Sequence, residues 1–112
     1  EIATRKSGTM DFVTPAGFTG RHAWDALPIA EIEGATIRLH WTDQPYRWHV
    51  NDGEEVFVVL QGAVEMRYRQ AGAEHRRLMR EGDICHAGPG AEHVAHPQGP
   101  ARVLVIEKKG SV

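Results

Sequence analysis

The stretch "WHVNDGEEVFVVLQG", Trp48 to Gly62, sets one histidine and two glutamates ahead of an apolar run that closes on glycine. The run is rich in valine and bounded by Asn-Asp-Gly on one side and Gln-Gly on the other, so it reads as a strand between two turns. Side chains alternate along a strand, which puts Glu55, Phe57 and Val59 on one face and Val56, Val58 and Leu60 on the other. Both faces are apolar beyond Glu55, and this predicts a central strand covered on both sides. A strand of that kind beginning with a carboxylate poses a problem of charge. Burying a lone carboxylate is costly, and a metal ion or a basic partner removes the cost. His49 precedes Glu55 by six residues, an even number. An extended path through the intervening turn therefore lets both side chains converge on one interior point. The plainer alternative is a hairpin whose polar residues face water or pair with arginine.

The pattern of short apolar segments extends along most of the chain. Candidate strands are Thr36 to Trp41, Glu55 to Leu60, Ala63 to Arg69, His75 to Met79, Asp83 to Ala87 and Arg102 to Glu107, with one or two edge strands before Thr36. Turn chemistry punctuates them at Asn51–Gly53, Gln61–Gly62, Ala71–Glu74, Glu81–Asp83, Gly88–Gly90 and Pro97–Pro100. In Ala63 to Arg69 the alternation is clean, with Val64, Met66 and Tyr68 opposite Glu65, Arg67 and Arg69, so that strand has one wet face. No long helical stripe and no internal repeat is present. The prediction is an all-β closed sandwich or barrel in one domain spanning residues 1–112, since 112 residues are too few for a second core.

Composition narrows the function classes. The chain is 41% hydrophobic and 25% charged, with 13 basic and 15 acidic residues for a net charge of -2. That balance offers no general basic field for nucleic acid, and the cluster Arg76, Arg77 and Arg80 is too small to reverse it. No apolar run approaches the roughly 20 residues of a membrane span. The single cysteine, Cys85, rules out an internal disulfide and fits a cytoplasmic location, and it reads as a small buried hydrophobe. The first ten residues lack the apolar middle of an export signal, and a start at Met10 would make residues 1–9 a non-native or disordered extension.

A second region, "EGDICHAGPGAEHVAHP", carries the corner Gly88-Pro89-Gly90 followed three residues later by His93. Two imidazoles and one carboxylate form a facial set that leaves coordination positions open, as in non-haem iron sites. With both regions in view the chain resembles the cupin superfamily of small double-stranded β-helix, or jelly-roll-like, barrels. That family's first motif is H-x-H, three or four residues, E, six residues, G, and His49, Asn51, Glu55 and Gly62 follow its spacing. Its second is G, five residues, P-x-G, two residues, H, and Gly82, Gly88, Gly90 and His93 follow that one. The ending "VLVIEKKGSV" also resembles the last strand of small bacterial single-domain members.

The resemblance implies a divalent metal ion held by His49, Glu55 and His93. It has two departures. Gly88 stands where proline is usual, with Pro89 displaced by one. Asn51 stands where the second histidine is usual, which either leaves three protein ligands or makes Asn51 a weak oxygen ligand. Ring-cleaving dioxygenases of the hydroxyanthranilate type resemble this H-x-N variant, and the resemblance accordingly favours an iron-dependent dioxygenase acting on a small molecule. Metal-dependent isomerisation or decarboxylation, and a non-catalytic binding or sensor domain, are the alternatives. The mixed nitrogen and oxygen donors suit iron, manganese, nickel or zinc. Small cupins commonly form homodimers, which is the expectation here.

Other residues are read more briefly. His86 shares a face with Ile84; if that face is interior, His86 is a hydrogen-bonding or acid/base neighbour of the metal. His96 is a further candidate of that kind, at the pocket rim or in solvent. Arg38 and His40 share a face opposite Ile37, Leu39 and Trp41, either as a solvated face or as an anion-binding wall. His22 and His75 read as surface residues. Phe57, Val59, Val64, Met66 and Tyr68 are pocket or core, and Trp24, Trp41 and Trp48 pack the barrel or a dimer interface.

Overall fold

In the computed structural model, which describes residues 7–111, nine strands form two antiparallel sheets. The strands are β1 (Asp25–Ile32), β2 (Ala35–Thr42), β3 (His49–Val50), β4 (Glu55–Gln61), β5 (Val64–Gln70), β6 (Ala73–Met79), β7 (Ile84–Ala87), β8 (Glu92–Pro97) and β9 (Ala101–Lys108). One sheet has the order β1-β2-β9-β4-β7 and the other β3-β8-β5-β6. A 3-10 turn over Pro15–Gly17 is the helical content of the described residues. Residues 1–6 of the expected extension lie outside the described part. No helix among the described residues is long and apolar enough to cross a membrane.

All six strands expected from the sequence form, and β1 supplies the edge strand expected before Thr36. Two were not anticipated. β3 is only two residues long, and β8 carries Glu92, His93 and His96, so hydropathy gives it little signature. The hairpins β1–β2 and β5–β6 close on Glu33-Gly34 and Ala71-Gly72, both residues of each pair at positive φ. That is the turn whose twist matches paired antiparallel strands.

The core lies between the sheets. Phe57, Val59, Val103 and Val105 from the larger sheet meet Val64, Met66, Met79 and Ala95 from the smaller. Cys85 is packed against this cluster, and burial raises its thiol pKa, in keeping with a packing role. Gly62 marks where β4 turns out of its sheet. It has φ +86, and a Cβ there would stand 2.7 Å from the Pro100 carbonyl oxygen. Any side chain would separate the β4–β5 turn from the β8–β9 turn.

The polar half of β2 faces inward. Thr36, at 3% exposure, lies on the same side as Arg38 and His40, and the latter two line an interior cavity. The apolar half faces outward and is covered: Leu39 is only 1% exposed, and Gly20 seats against the Trp41 ring. Arg102 holds the covering segment by donating to the Phe18 carbonyl at 2.7 Å and the Thr19 hydroxyl at 3.0 Å. Of the two readings of Arg38 and His40, the structure therefore rejects the solvated face.

Candidate metal centre

Two strand pairings build the site. In the smaller sheet β3 pairs with β8 so that His49 stands directly opposite His93, their ring centroids 4.3 Å apart. In the larger sheet Glu55, the first residue of β4, stands between Ala87 of β7 and Glu107 of β9. The carboxylate reaches across the sandwich to the imidazoles, and His93 Nε2 lies 2.8 Å from Glu55 Oε1. Glu55 is 8% exposed and His93 5%, while His49 is half-buried. Ligand atoms of the three residues all lie within 4.8 Å of one another.

The donor set fits a divalent ion. Donors about 2.1 Å from one ion stand roughly 3 to 4.2 Å apart, so the widest pair needs to close by only about an ångström or two. His49 is already poised as a neutral ligand. Its Nδ1 donates to the Arg47 carbonyl at 3.1 Å, which leaves the Nε2 lone pair free, and burial lowers its pKa. His93 Nδ1 is buried without a hydrogen-bond partner among the described residues. The ring is thus anchored only from its Nε2 side, through Glu55, and a metal ion there would replace a single hydrogen bond.

The three side chains open onto a cavity of about 150 Å³ with Arg38, His40, Glu107, Trp24 and Tyr46 in its walls and Phe57, Met66 and Ala95 as apolar lining. His40 Nδ1 donates to the Trp24 carbonyl at 3.2 Å, and Trp24 Nε1 donates to the Gln44 carbonyl at 2.9 Å. These bonds hold Trp24 at φ 60, a strained value for a bulky residue. Its ring meets His40 and Tyr46 edge-on, and Tyr46 meets His49 in the same way. Burial lowers the His40 pKa. Glu107 is pushed up to about 7, first by burial and then by the Glu55 charge. A second cavity, about 630 Å³, shares His93 and Met66 and runs between β6 and β7.

The remaining sequence candidates fall elsewhere. The Asn51 side-chain amide donates to the Ala87 carbonyl at 3.3 Å, and its backbone binds Gly90 and Ala91, so it ties the turn before β4 to the glycine corner; it does not line the cavity of the triad. His86 is exposed and lies 2.7 Å from Glu54 on the outer side of the larger sheet. His96 pairs with Glu65 across the outer face of the smaller sheet. Neither histidine stands beside the triad, because each alternates out of phase with the inward positions of its strand. Glu54, the competitor of Glu55, also points outward. Trp48 lies under the Arg69 guanidinium, 3.9 Å from its ring centroid, away from the cavity.

No family model and no curated protein sequence matches the chain. Solved structures do. A cupin-2 domain protein from Shewanella frigidimarina is 22% identical, with 84% of this chain and 87% of that one aligned at a TM-score of 0.72. The chain also resembles a hydroquinone 1,2-dioxygenase in complex with Fe3+ at 17% identity and TM-score 0.71, over 80% of this chain and 29% of that one. A hydroquinone 1,2-dioxygenase from Sphingomonas with bound 4-hydroxybenzoate gives 19% identity and TM-score 0.70, over 80% and 28%. The fold is that of a small cupin domain, all-β and built of antiparallel sheets. It carries a His49, Glu55 and His93 group able to hold a metal ion.

Proposed function

We propose that this cupin is a metal-dependent enzyme acting on a small molecule, with a divalent ion held by His49, Glu55 and His93, and that its chemistry is of the iron-dependent dioxygenase type. The observation that carries the reading is the convergence of two imidazoles and one carboxylate on one cavity-facing point. An ion held by these three residues alone would remain accessible to a small molecule in the cavity. The ion supplies Lewis acidity and, as iron, access to oxygen chemistry. The chain's own residues then orient and shield: Phe57, Met66 and Ala95 form a dry wall, and His49 is kept in the ligating tautomer by Arg47. In this reading Asn51 stays outside the ligand set and positions the glycine corner. The likeness to hydroquinone dioxygenases agrees with an iron site; at such low identity it carries the fold alone, so the assignment rests on the donor set.

The test begins with metal analysis of protein purified without an affinity column, alongside His49→Ala and Glu55→Gln. The parent is expected to hold about one iron, manganese, nickel or zinc ion per chain, and each variant at least tenfold less. Variants retaining as much metal as the parent would show that the site is misplaced. Oxygen uptake by iron-reconstituted protein across phenolic, thiol and diketone substrates tests the reaction. Turnover without oxygen would move the reading to isomerisation or decarboxylation, and ligand-induced stabilisation without turnover to a binding domain.

A further inference from the structure

The metal reading leaves one charged interior side chain idle. Arg38 lines the same cavity as all three ligands, half-buried on the inward face of β2. Its guanidinium makes no hydrogen bond and no ion pair with any described residue. Arginine stays charged at any physiological pH and offers five N–H donors in a planar fork that matches a carboxylate. Leaving those donors unpaired in a half-buried wall is unfavourable, and an incoming carboxylate would satisfy them.

The neighbours leave that role to Arg38. It is the one permanent cation among the residues lining the cavity. His40, two positions along the strand, already donates from Nδ1 to Trp24, and burial favours its neutral form. Glu107 lies diagonally across from Arg38 in the β2–β9 register, which pairs Arg38 with Val105 and Thr36 with Glu107. Yet no ion pair forms between them, and the Glu107 carboxyl is held up to about 7, mainly by burial. With a divalent ion at the triad, Arg38, Glu55 and Glu107 leave the cavity at about +1 to +2, depending on the Glu107 proton. An anionic ligand neutralises that charge.

We propose that Arg38 is the anion anchor of this site and that the ligand is a small dicarboxylate, one carboxylate gripped by the guanidinium and the other by the metal ion. The inference rests on the metal-dependent reading above. A volume of about 150 Å³ equals the room of roughly five waters at ~30 Å³ each, which suits a molecule of malonate size.

The test is calorimetry on the zinc-loaded full chain, with malonate and its monomethyl ester as probes. The parent is expected to bind malonate at least about tenfold more tightly than the ester, and Arg38→Gln to bring the ratio below about twofold at unchanged metal content. Arg38→Met gives the same reading should the glutamine variant lose its fold. Arg77→Gln, in the lining of the larger cavity and outside that of the triad, is expected to keep the parent's ratio. A metal-loaded Arg38→Gln that keeps the full preference, a parent without one, or a preference lost through Arg77 instead would overturn the inference. A parent that holds no metal overturns the proposed function and takes this inference with it.

Discussion

Glu107 turns the charge balance of the cavity into a measurable dependence of stability on pH. Its carboxyl is pushed from an ordinary 4.5 up to about 7. In that window the folded chain therefore keeps a proton that the unfolded chain has released. Stability falls as pH rises from the unfolded value to the folded one, and the loss is complete above about pH 7. At about 1.36 kcal/mol per pH unit the upper bound is about 3.4 kcal/mol. Glu107 is only half-buried, so solvent screening brings the expectation to about 1 to 2 kcal/mol. Glu107→Gln is uncharged at every pH and should escape the loss. Urea denaturation of metal-free parent and variant is expected to give similar stabilities at pH 5 and a variant more stable by about 1 to 2 kcal/mol at pH 8. The contributions of His40 and His49, whose lowered pKa values cost stability as pH falls, are common to both chains and cancel. A difference that is the same at both pH values would refute the reasoning, because it would show that Glu107 is ionised throughout.

Other substitutions test the architecture more directly. Gly62→Ala combines φ +86 with a 2.7 Å approach to the Pro100 carbonyl and should cost roughly 2 kcal/mol or more, read as a lowered urea midpoint. His86→Ala and His96→Ala lie on outer faces and should leave metal content at the parent level, with stability within about 0.5 kcal/mol. Met79→Ala empties a core position 3% exposed and should cost about 2 to 5 kcal/mol by the same denaturation. The homodimer expectation is checked by light scattering at micromolar concentration, where a monomer mass would remove it.

The strands and the triad were legible for different reasons. Strands such as β4 and β9 announce themselves by valine-rich runs between turn residues. His49, Glu55 and His93 were found because their spacings to Gly62 and to the glycine corner resemble the two cupin motifs, whose six-residue step to Gly62 selects Glu55 over Glu54. The cavity walls had no such marker. In β2, Arg38 and His40 alternate with Ile37, Leu39 and Trp41, and the ordinary inference puts the apolar half inside. Here the segment through Gly20 seats on Trp41, so apolar burial is achieved outside and the polar half is released to the interior. Alternation alone cannot reveal which face a distant segment will cover. Glu107 was missed because it ends an apolar run and reads as its solvated terminus, whereas the β4–β9 register sets it opposite Glu55. His86 lacked an anchor for strand phase, and its outward placement follows from its pairing with Val56.

The triad draws Glu55 from one sheet and both histidines from the other, with Met66, Met79, Phe57 and Val105 filling the gap between. The hydrophobic filling thus sets the spacing between the Glu55 carboxylate and the two imidazoles. Sheets in such a sandwich sit about 10 Å apart, and a change of a few tenths of an ångström is comparable to the tolerance of metal–ligand bonds. Under the proposed metal binding, substitutions far from any ligand that thin or thicken this layer would retune which ion the triad prefers, and selection on core packing would become selection on metal choice.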